Sequence, residues 1–429
     1  MDLLTANDRV GEYPASYYAS TATPLDPFPK ATGALTCDIC VVGGGYSGLS
    51  AALHARQAGY DVVLVDAQRV GFGASGRNGG QVGPGQRIGQ DTLEEIVGLK
   101  QARALWDLSL ESVALVRDLI ADHNIDCSWT DGIIEAEHRE KNVPEAHKYV
   151  EKLHNNYDYD RIRSVGKDEM RSLVGSRAYY GGTLDMGGGH LHPLRYALGL
   201  ARAARDAGVR IFEGSKVTHV RRGGMVKTDD AEIKAQHVIL GCNGYLGALN
   251  RDVARRVMPI NNFIAATAPL DNPRRLIRDN HAVADSKFVI NYFRLSDDNR
   301  LLFGGGESYG YAFPKDIAAT VRKPMLEIFP DLKDTAIDYA WGGTLGITMN
   351  RMPHFARVSN RVLSISGYSG HGVAMATLAG KLAAQATAGQ AEKFDIFSTV
   401  PSPRFPGGPG MRRPLLVLAM LWYSMRDKL

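Results

Sequence analysis

Three glycines at fixed spacing are the first residues in this sequence whose types indicate chemistry. Gly43, Gly45 and Gly48 lie between a short apolar run, 38–42, and a run with helical spacing. The first glycine permits a tight turn, the second lets a diphosphate approach the backbone, and the third permits close helix–strand packing. Asp66 ends the next apolar run, where a carboxylate can accept hydrogen bonds from ribose hydroxyls. The pattern predicts a site for the ADP half of a dinucleotide.

Two further glycine-rich segments indicate which dinucleotide binds. Segment 71–81 follows closely after Asp66, and its glycines and backbone donors suit a chain wrapped around a diphosphate and the edge of a flavin. Segment 367–372 precedes a predicted helix whose N-terminus could stabilise negative charge on a reduced flavin. Together they predict FAD. The glycines at 304–306 are not followed by a helix, so no NAD(P)H module is predicted and the substrate itself should reduce the flavin.

The elements that must position these loops show two patterns. In the first, buried apolar runs are separated by helices, such as the one predicted at 193–206. In the second, later segments such as 288–293 and 300–303 indicate an antiparallel sheet. We predict an α/β plus α+β fold in which a Rossmann-type FAD-binding domain is interleaved with an antiparallel-sheet substrate domain. The predicted divisions are an extended N-terminal segment (1–35), the discontinuous FAD-binding domain (36–90, 165–250 and 352–398), the substrate domain (91–164 and 251–351) and a C-terminal tail with an apolar helix (399–429).

Bulk composition restricts the class of protein. The 429 residues are 44% hydrophobic and 22% charged, which is enough to bury a large core. The formal net charge of +4 provides no strong field for nucleic acid or anionic membranes. The sequence has four cysteines, and its first residues do not form a basic region followed by an apolar stretch. Both features favour a cytoplasmic protein. The apolar run 414–425 is shorter than the about 20 residues that span a bilayer, so it is either a docked helix or a peripheral membrane contact.

Several motifs together resemble those of the D-amino-acid oxidase superfamily of flavoproteins. They lie along nearly the whole chain, at 16–18, 43–48, 71–81, 187–193, 292–295, 367–373 and 405–408. The likeness is strongest to the branch that oxidises γ-glutamylputrescine, and enzymes that oxidise L-pipecolate and related imino acids are the alternative. The resemblance implies hydride transfer to flavin N5 from a carbon beside a neutral amine, giving an imine that water hydrolyses. Oxygen or a quinone would take the electrons, and the absence of cysteine near Gly370 favours non-covalent FAD.

The resemblance also implies which residues contact FAD. They occupy the glycine turns, the end of the second strand and the strand ends nearby, and they are Gly43, Gly45, Ser47, Gly48, Asp66, Ala67, Ala74, Ser75, Arg77, Asn78, Gly79, Gly80, Gln81, Val217, Asn243, Gly244, Gly370, His371 and Gly372. Three side chains are candidates for the reaction. His371 could hydrogen-bond to the flavin, act as a base or only cap a helix. Arg294 could bind a substrate carboxylate or lie on the surface. Trp341 could line the substrate site or belong to the core.

Two other pairs have spacings associated with redox or metal chemistry. Cys37 and Cys40 fall within the first strand, where alternation should point them to opposite faces, so core packing is expected. His190 and His192 would share one face of an extended segment, but no third ligand follows nearby. We therefore predict no metal site.

Overall fold

The computed structural model describes residues 2–308 and 310–406, and this part of the chain is built on two β-sheets. In chain order the strands are β1 (Gly33–Val42), β2 (Val62–Val65), β3 (Gln81–Val82), β4 (Thr130–Ala136), β5 (Ile162–Val165), β6 (Gly182–His190), β7 (Arg210–Phe212), β8 (Val217–Val220), β9 (Met225–Thr228), β10 (Ala231–Leu240), β11 (Met258–Thr267), β12 (Ala282–Asp285), β13 (Tyr292–Leu295), β14 (Leu301–Ser308), β15 (Ile337–Ile347), β16 (His354–Ser359) and β17 (Val362–Ser366).

The helices fall mainly between these strands. They are α1 (Tyr17–Thr21), α2 (Tyr46–Gln57), α3 (Gln90–Val97), α4 (Leu99–Asp122), α5 (Val143–Tyr157), α6 (Lys167–Leu173), α7 (Pro193–Asp206), α8 (Arg251–Ala254), α9 (Ile317–Ile328), α10 (Gly372–Thr387) and α11 (Glu392–Ser398). Across the described helices, no segment combines the length and apolar character that crossing a bilayer requires. The apolar run predicted at 414–425 lies outside the described residues.

The first sheet has the order β16-β17-β10-β1-β2-β7. Of the five pairings along this order, the four from β17 to β7 are parallel. Its strands are buried on both faces, as parallel sheets usually are. Ile39 and Val41 of β1 face the core that contains α2 and α10, whereas Val42 belongs to the cluster on the opposite face. This explains why the sequence shows continuous apolar runs here.

The second sheet has the order β15-β11-β14-β13-β12-β4-β6-β3 and is antiparallel except where β12 pairs with β4. One face carries Phe293 and Phe303, which pack with Val321 and Met325 of α9. The other face turns toward the first sheet. This arrangement confirms the predicted α/β plus α+β fold class.

The two cysteines of β1 lie on the same side of the sheet. Cys37 and Cys40 belong to one buried cluster, whereas Ile39 faces the opposite core. The backbone N–H groups of Asp38 and Ile39 both donate to the Asp61 carbonyl, at 3.0 and 3.1 Å. This doubled bond marks the point where the regular alternation of side chains along β1 is interrupted. The prediction that they point to opposite faces was wrong, although both are buried in the core.

The structure differs from the predicted division in three places. Strands β3 and β6, assigned to the FAD-binding domain, pair in the second sheet because they extend it beyond β4. Helix α4, assigned to the substrate domain, packs on α10 through the core of the first sheet. The N-terminal segment contains α1, whose Tyr17 and Tyr18 are buried, so it is partly folded onto the body. The remaining boundaries stay a prediction.

Candidate cofactor and active site

The turn between β1 and α2 forms an open helix N-terminus at the carboxyl end of the parallel strands. Gly43 has a φ of +108°, and a Cβ placed on Gly48 would lie 1.7 Å from the Gly43 carbonyl oxygen. Gly45 is the N-cap and offers no side chain to cap the helix, while the Tyr46 N–H donates to Ser75 Oγ at 3.0 Å. Backbone donors at such an end attract a phosphate.

Asp66 lies beside this turn at the end of β2. Its carboxylate accepts hydrogen bonds from the backbone N–H groups of Gly44, at 2.5 Å, and Gln68, at 2.7 Å. Burial raises the pKa of Asp66, and the two hydrogen bonds oppose that rise. The Asp66 carbonyl also accepts from the Ser215 N–H, at 2.7 Å, which brings the segment before Val217 to the same place. Ala67 is half-buried beside it.

The second glycine-rich segment is held in shape by its own side chains. Asn78 donates to the carbonyls of Ala74 and Ser75, both at 3.0 Å, and accepts from the Gly80 N–H at 2.7 Å. Gln81 donates to the Val283 carbonyl of β12 at 2.9 Å. The loop that follows Asp66 is thus connected to the second sheet, and it bridges the two layers.

The third glycine-rich segment meets the first through direct contacts. The Gly367 N–H donates to Asn243 Oδ1 at 2.9 Å, and a Cβ on Gly244 would lie 3.0 Å from the Leu345 backbone. Ser47 Oγ and the Tyr368 hydroxyl are 2.6 Å apart. The turn ends at Gly370, His371 and Gly372, where α10 begins without a side-chain cap. The structure therefore brings the three predicted glycine segments together.

His371 is the least buried of the three predicted reaction residues. It is half-buried, and its Nε2 lies 2.9 Å from the Gly83 carbonyl oxygen. A carbonyl only accepts, so Nε2 carries the proton and Nδ1 of the neutral ring is an acceptor. Burial lowers the pKa of His371, opposed by the bond to Gly83 and assisted by the charge of Arg87. His371 can therefore accept a proton at neutral pH.

Arg294 and Trp341 contact protein backbone in place of a substrate. Arg294 is buried; Nε donates to the Gly79 carbonyl at 2.9 Å and Nη2 to the Leu191 carbonyl at 3.1 Å. The Trp341 indole donates to the Arg77 carbonyl at 3.1 Å. Both side chains position the segment 77–80. The geometry favours this role over the predicted binding of a substrate carboxylate by Arg294 and the predicted contact of Trp341 with substrate.

The Arg77 side chain is held by protein contacts. Its Nη1 lies 3.0 Å from both carboxylate oxygens of Asp8, and its Nε donates to the Phe72 carbonyl at 2.7 Å. The remaining nitrogen, Nη2, is buried. The guanidinium connects the N-terminal segment to the loop, and the predicted contact of Arg77 with FAD stays a prediction.

The two histidines of the 190–192 motif also make structural contacts. His190 Nε2 lies 2.7 Å from the Asn280 carbonyl oxygen, and His192 Nδ1 accepts from the Arg195 N–H to cap α7. Burial, with Arg294 nearby, lowers the pKa of each ring to about 3. Within the described ranges, no group of three or more His, Cys, Asp or Glu side chains is arranged to hold a metal ion.

Sequence reasoning missed a row of residues on the face of the second sheet opposite the α9 core. Glu135, Ala284 and Tyr292 are paired across β4, β12 and β13 and share this face. Tyr292 lies against the loop, since a Cβ on Gly79 would be 2.7 Å from its ring. Glu135 is exposed, and desolvation raises its pKa. The alternating residues 130–136 carried the only sequence signal, a charge within a strand.

The donor set fits a dinucleotide with a second ring system. Two helix N-termini without side-chain caps, those of α2 and α10, open at the same sheet edge, and α10 packs on α2. The edge lies at the carboxyl ends of β1, β10 and β17, where ligands of open parallel sheets bind. In such a fit Asp66 would hold ribose hydroxyls, and 74–81 with 370–372 would hold the part beyond the diphosphate.

Comparisons with known proteins find relatives that match nearly the whole chain. The probable oxidoreductase OrdL of Rhizobium meliloti is 40% identical over 416 residues, covering 96% of this chain and 97% of the relative. The γ-glutamylputrescine oxidoreductase of Escherichia coli is 39% identical over 423 residues, covering 97% and 99%. Crystal structures with the same fold include glycine oxidase from Geobacillus kaustophilus, which has a TM-score of 0.69 at 20% identity and covers 83% of this chain and 95% of its own.

A second structure with this fold is L-proline dehydrogenase from P. horikoshii, with a TM-score of 0.68 at 20% identity, covering 88% of this chain and 96% of its own. The DAO model, described as FAD dependent oxidoreductase, matches residues 38–386. The chain belongs to the DAO family of FAD-dependent oxidoreductases, which confirms the family that its motifs predicted.

Proposed function

We propose that this enzyme oxidises the C–N bond of an amine, with γ-glutamylputrescine or a closely similar γ-glutamylated amine as substrate. The observation that carries the proposal is the 39% identity to γ-glutamylputrescine oxidoreductase over almost the full length of both chains. The glycine segments, Asp66 and the neutral His371 supply a cofactor site and a proton acceptor in one crevice.

Bound FAD would supply the redox chemistry as acceptor of the hydride from a carbon beside a neutral amine, and the resulting imine would be hydrolysed by water. The chain's own residues position the reactants and manage protons. In this proposal His371, with Nε2 bonded to Gly83, takes a proton at Nδ1 from the substrate ammonium, which must become neutral before it can lose a hydride. Arg294, Trp341 and Asn78 keep the loop 77–80 rigid, which fixes the orientation of the cofactor.

The imino-acid alternative is less well supported by the geometry. An L-pipecolate oxidase needs a cation for the carboxylate beside the reacting carbon, and Arg294 was the predicted candidate. Its Nε and both terminal nitrogens donate to carbonyls at 2.9 to 3.2 Å, and Nη2 also lies 3.3 Å from the Tyr18 hydroxyl. A substrate carboxylate would have to displace these bonds.

Anaerobic mixing tests the proposal directly. Purified enzyme mixed with γ-glutamylputrescine should lose flavin absorbance near about 450 nm, a property of the oxidised cofactor. L-pipecolate and L-proline are the matched comparison compounds. Bleaching by either imino acid without bleaching by γ-glutamylputrescine would reject the proposed substrate.

Two finer points belong to the same proposal. FAD is held non-covalently, so acid precipitation should release the yellow colour into the supernatant. Oxygen or a quinone takes the electrons, and peroxide yield in air, with and without a soluble quinone, distinguishes them. Colour that remains in the acid pellet would contradict non-covalent binding.

A further inference from the structure

A cleft of about 650 Å³ opens beside β16, the edge strand of the first sheet. Apolar side chains from the cluster opposite α2 and α10 line it, among them Leu240 of β10, Val253 of α8 and Val362 of β17. None of the described lining residues belongs to the three glycine segments of the cofactor site. Small-molecule sites in proteins usually measure about 300–1,000 Å³ and combine an apolar lining with a few placed polar groups. The size and the apolar lining of this cleft therefore suit a small organic ligand.

The charged groups of the cleft are mostly cations. Among the described residues that line it, Asp252 is the only carboxylate, and four are arginines. The arginines are Arg222, Arg256, Arg357 and Arg404. Arg256 donates through Nη1 to the Asp252 carbonyl and through Nε to the Ser402 carbonyl, both at 3.0 Å. These acceptors are neutral, and Nη2 has no partner in the described ranges, so Arg256 keeps its charge and a free donor for a ligand.

Contacts of the backbone bring two of the arginines together at one end of the cleft. The Phe405 N–H donates to the Arg255 carbonyl at 2.9 Å, which holds the segment that contains Arg404 beside Arg256. Arg404 Nη2 lies 3.6 Å from Asp252 Oδ1, and Arg255 Nη1 lies 3.6 Å from the same oxygen. One exposed carboxylate therefore faces three arginines, and this end of the cleft has a net positive charge.

His354 lies at the same end and has polar atoms to offer. It lines the cleft with only 7% of its surface exposed, and neither ring nitrogen has a hydrogen-bond partner in the described part of the chain. A Cβ on Gly367 would lie 3.4 Å from His354 Cβ and 3.3 Å from the Val257 side chain, so His354 neighbours the residue after Arg256. Burial, with the charge of Arg256, lowers the pKa of His354 to about 4, so at neutral pH the ring is uncharged and offers one N–H donor. Buried polar groups almost always have a partner, which here must come from outside the described chain.

We propose that this cleft binds a small organic phosphate, with its phosphate group at the end formed by Arg256, Arg404 and His354. The apolar body of the ligand rests on the side chains of Leu240 and Val362. The site is additional to the amine oxidation proposed above and does not depend on it.

The donors at this end match a phosphate better than a carboxylate. Guanidinium groups bind phosphate oxygens through parallel hydrogen bonds, and the neutral ring of His354 supplies a further donor. A phosphate monoester offers three acceptor oxygens and a charge of about −1.5 to −2 at neutral pH. A carboxylate offers two oxygens and one charge, which would leave part of this donor set without an acceptor.

Calorimetry on FAD-loaded enzyme tests the proposal, because a filled cofactor site cannot take a phosphate compound at its own diphosphate turn. Phenyl phosphate is the probe, since it joins a phosphate group to an apolar ring. Inorganic phosphate lacks the ring, and benzoate replaces the phosphate by a carboxylate. We expect phenyl phosphate to bind with a Kd at least tenfold below that of either comparison compound, because it alone makes both sets of contacts.

Two variants locate the binding. Arg256→Gln and Arg404→Gln should each raise the Kd for phenyl phosphate about tenfold, because each removes a charged hydrogen-bond donor. Arg404 is exposed, so its replacement leaves the packing of the core intact. Arg251→Gln is the matched control, since Arg251 is an exposed arginine of α8 that does not line the cleft, and it should bind phenyl phosphate as the unaltered enzyme does. FAD content and melting temperature verify that each variant is folded.

Three results would overturn the proposal. The first is the absence of phenyl phosphate binding by the unaltered enzyme at millimolar concentration. The second is an unchanged Kd in the folded Arg404→Gln enzyme, which would place the bound phosphate elsewhere. The third is a Kd for benzoate equal to that for phenyl phosphate and raised to the same extent by Arg404→Gln, which would make the cleft a general anion site.

Discussion

The Arg294 guanidinium donates to the Gly79 carbonyl across 2.9 Å, and this bond joins a strand of the second sheet to the predicted flavin loop. The two residues are 215 positions apart in the chain. A second bond, to the Leu191 carbonyl, holds the segment that pairs with Gly80. One buried cation therefore fixes the backbone on which the cofactor would rest.

Replacement of Arg294 by lysine should weaken FAD binding more than substrate binding. Lysine keeps the charge but cannot donate to the Gly79 and Leu191 carbonyls in the fork geometry of arginine. Buried acceptors left unpaired cost about 1–3 kcal/mol. We expect the Kd for FAD, measured by reconstitution of the apoenzyme, to rise at least tenfold.

Arg300→Lys is the control for the Arg294 variant, because Arg300 is also largely buried but pairs with Asp298 and Asp338. It should lower the melting temperature and leave the Kd for FAD unchanged. An Arg294→Lys enzyme with normal FAD affinity and a raised KM for carboxylate substrates would instead support binding of the substrate carboxylate by Arg294.

Gly48→Ala should prevent the cofactor turn from forming. The added methyl would lie 1.7 Å from the Gly43 carbonyl oxygen, so α2 and β1 would have to separate. We expect the purified variant to contain little or no FAD, measured as the ratio of flavin to protein absorbance. Gly166→Ala is the control, since nothing lies within 4 Å of a Cβ there. Full flavin content in Gly48→Ala would show that the turn is not shaped as described.

The sequence predicted those parts of the fold and site whose cause is local. The glycine spacing at 43–48 and the helix predicted at 193–206, found as Pro193–Asp206, follow from turn geometry and apolar periodicity. The same reasoning placed Cys37 and Cys40 on opposite faces. It failed because the change of face depends on Asp61, before β2, whose carbonyl accepts two backbone bonds at once.

The candidate site was harder to predict because its side chains act through distant partners. Arg294 and Trp341 were identified, but their acceptors at Gly79 and Arg77 are determined only by the pairing of the second sheet with the loop. Glu135 was missed because a carboxylate in an alternating strand usually faces water. Only the register with Ala284 shows which residues share its face of the sheet.

His371→Asn should change how the reaction depends on pH. Because burial lowers the pKa of His371, the ring is a neutral acceptor at pH 7 and gains a proton only below the ordinary 6.5. The wild-type kcat/KM should therefore fall at acid pH in two steps, one from the substrate amine and one from His371. Asparagine should remove the lower step and reduce kcat about 100-fold.

Asparagine is chosen for His371 because it is a good N-cap, which preserves the start of α10. FAD content should stay normal in this variant. A pH profile identical to that of the wild type, with the lower step intact, would show that His371 only positions the turn.

His192→Asn should flatten the loss of stability in acid. Burial, with Arg294 and Arg195, lowers the pKa of His192 to about 3, so between pH 6.5 and 3 the unfolded chain binds one proton more than the folded chain. Stability then falls as pH is lowered through this window, by about 1.4 kcal/mol per pH unit for this residue.

Asparagine cannot be protonated and can still cap α7, so urea unfolding between pH 6 and 5 should show a slope smaller by that amount. His219→Asn, which replaces a solvent-exposed histidine of β8, is the control variant. Equal slopes in the wild type and His192→Asn would mean that His192 is not buried as a neutral ring.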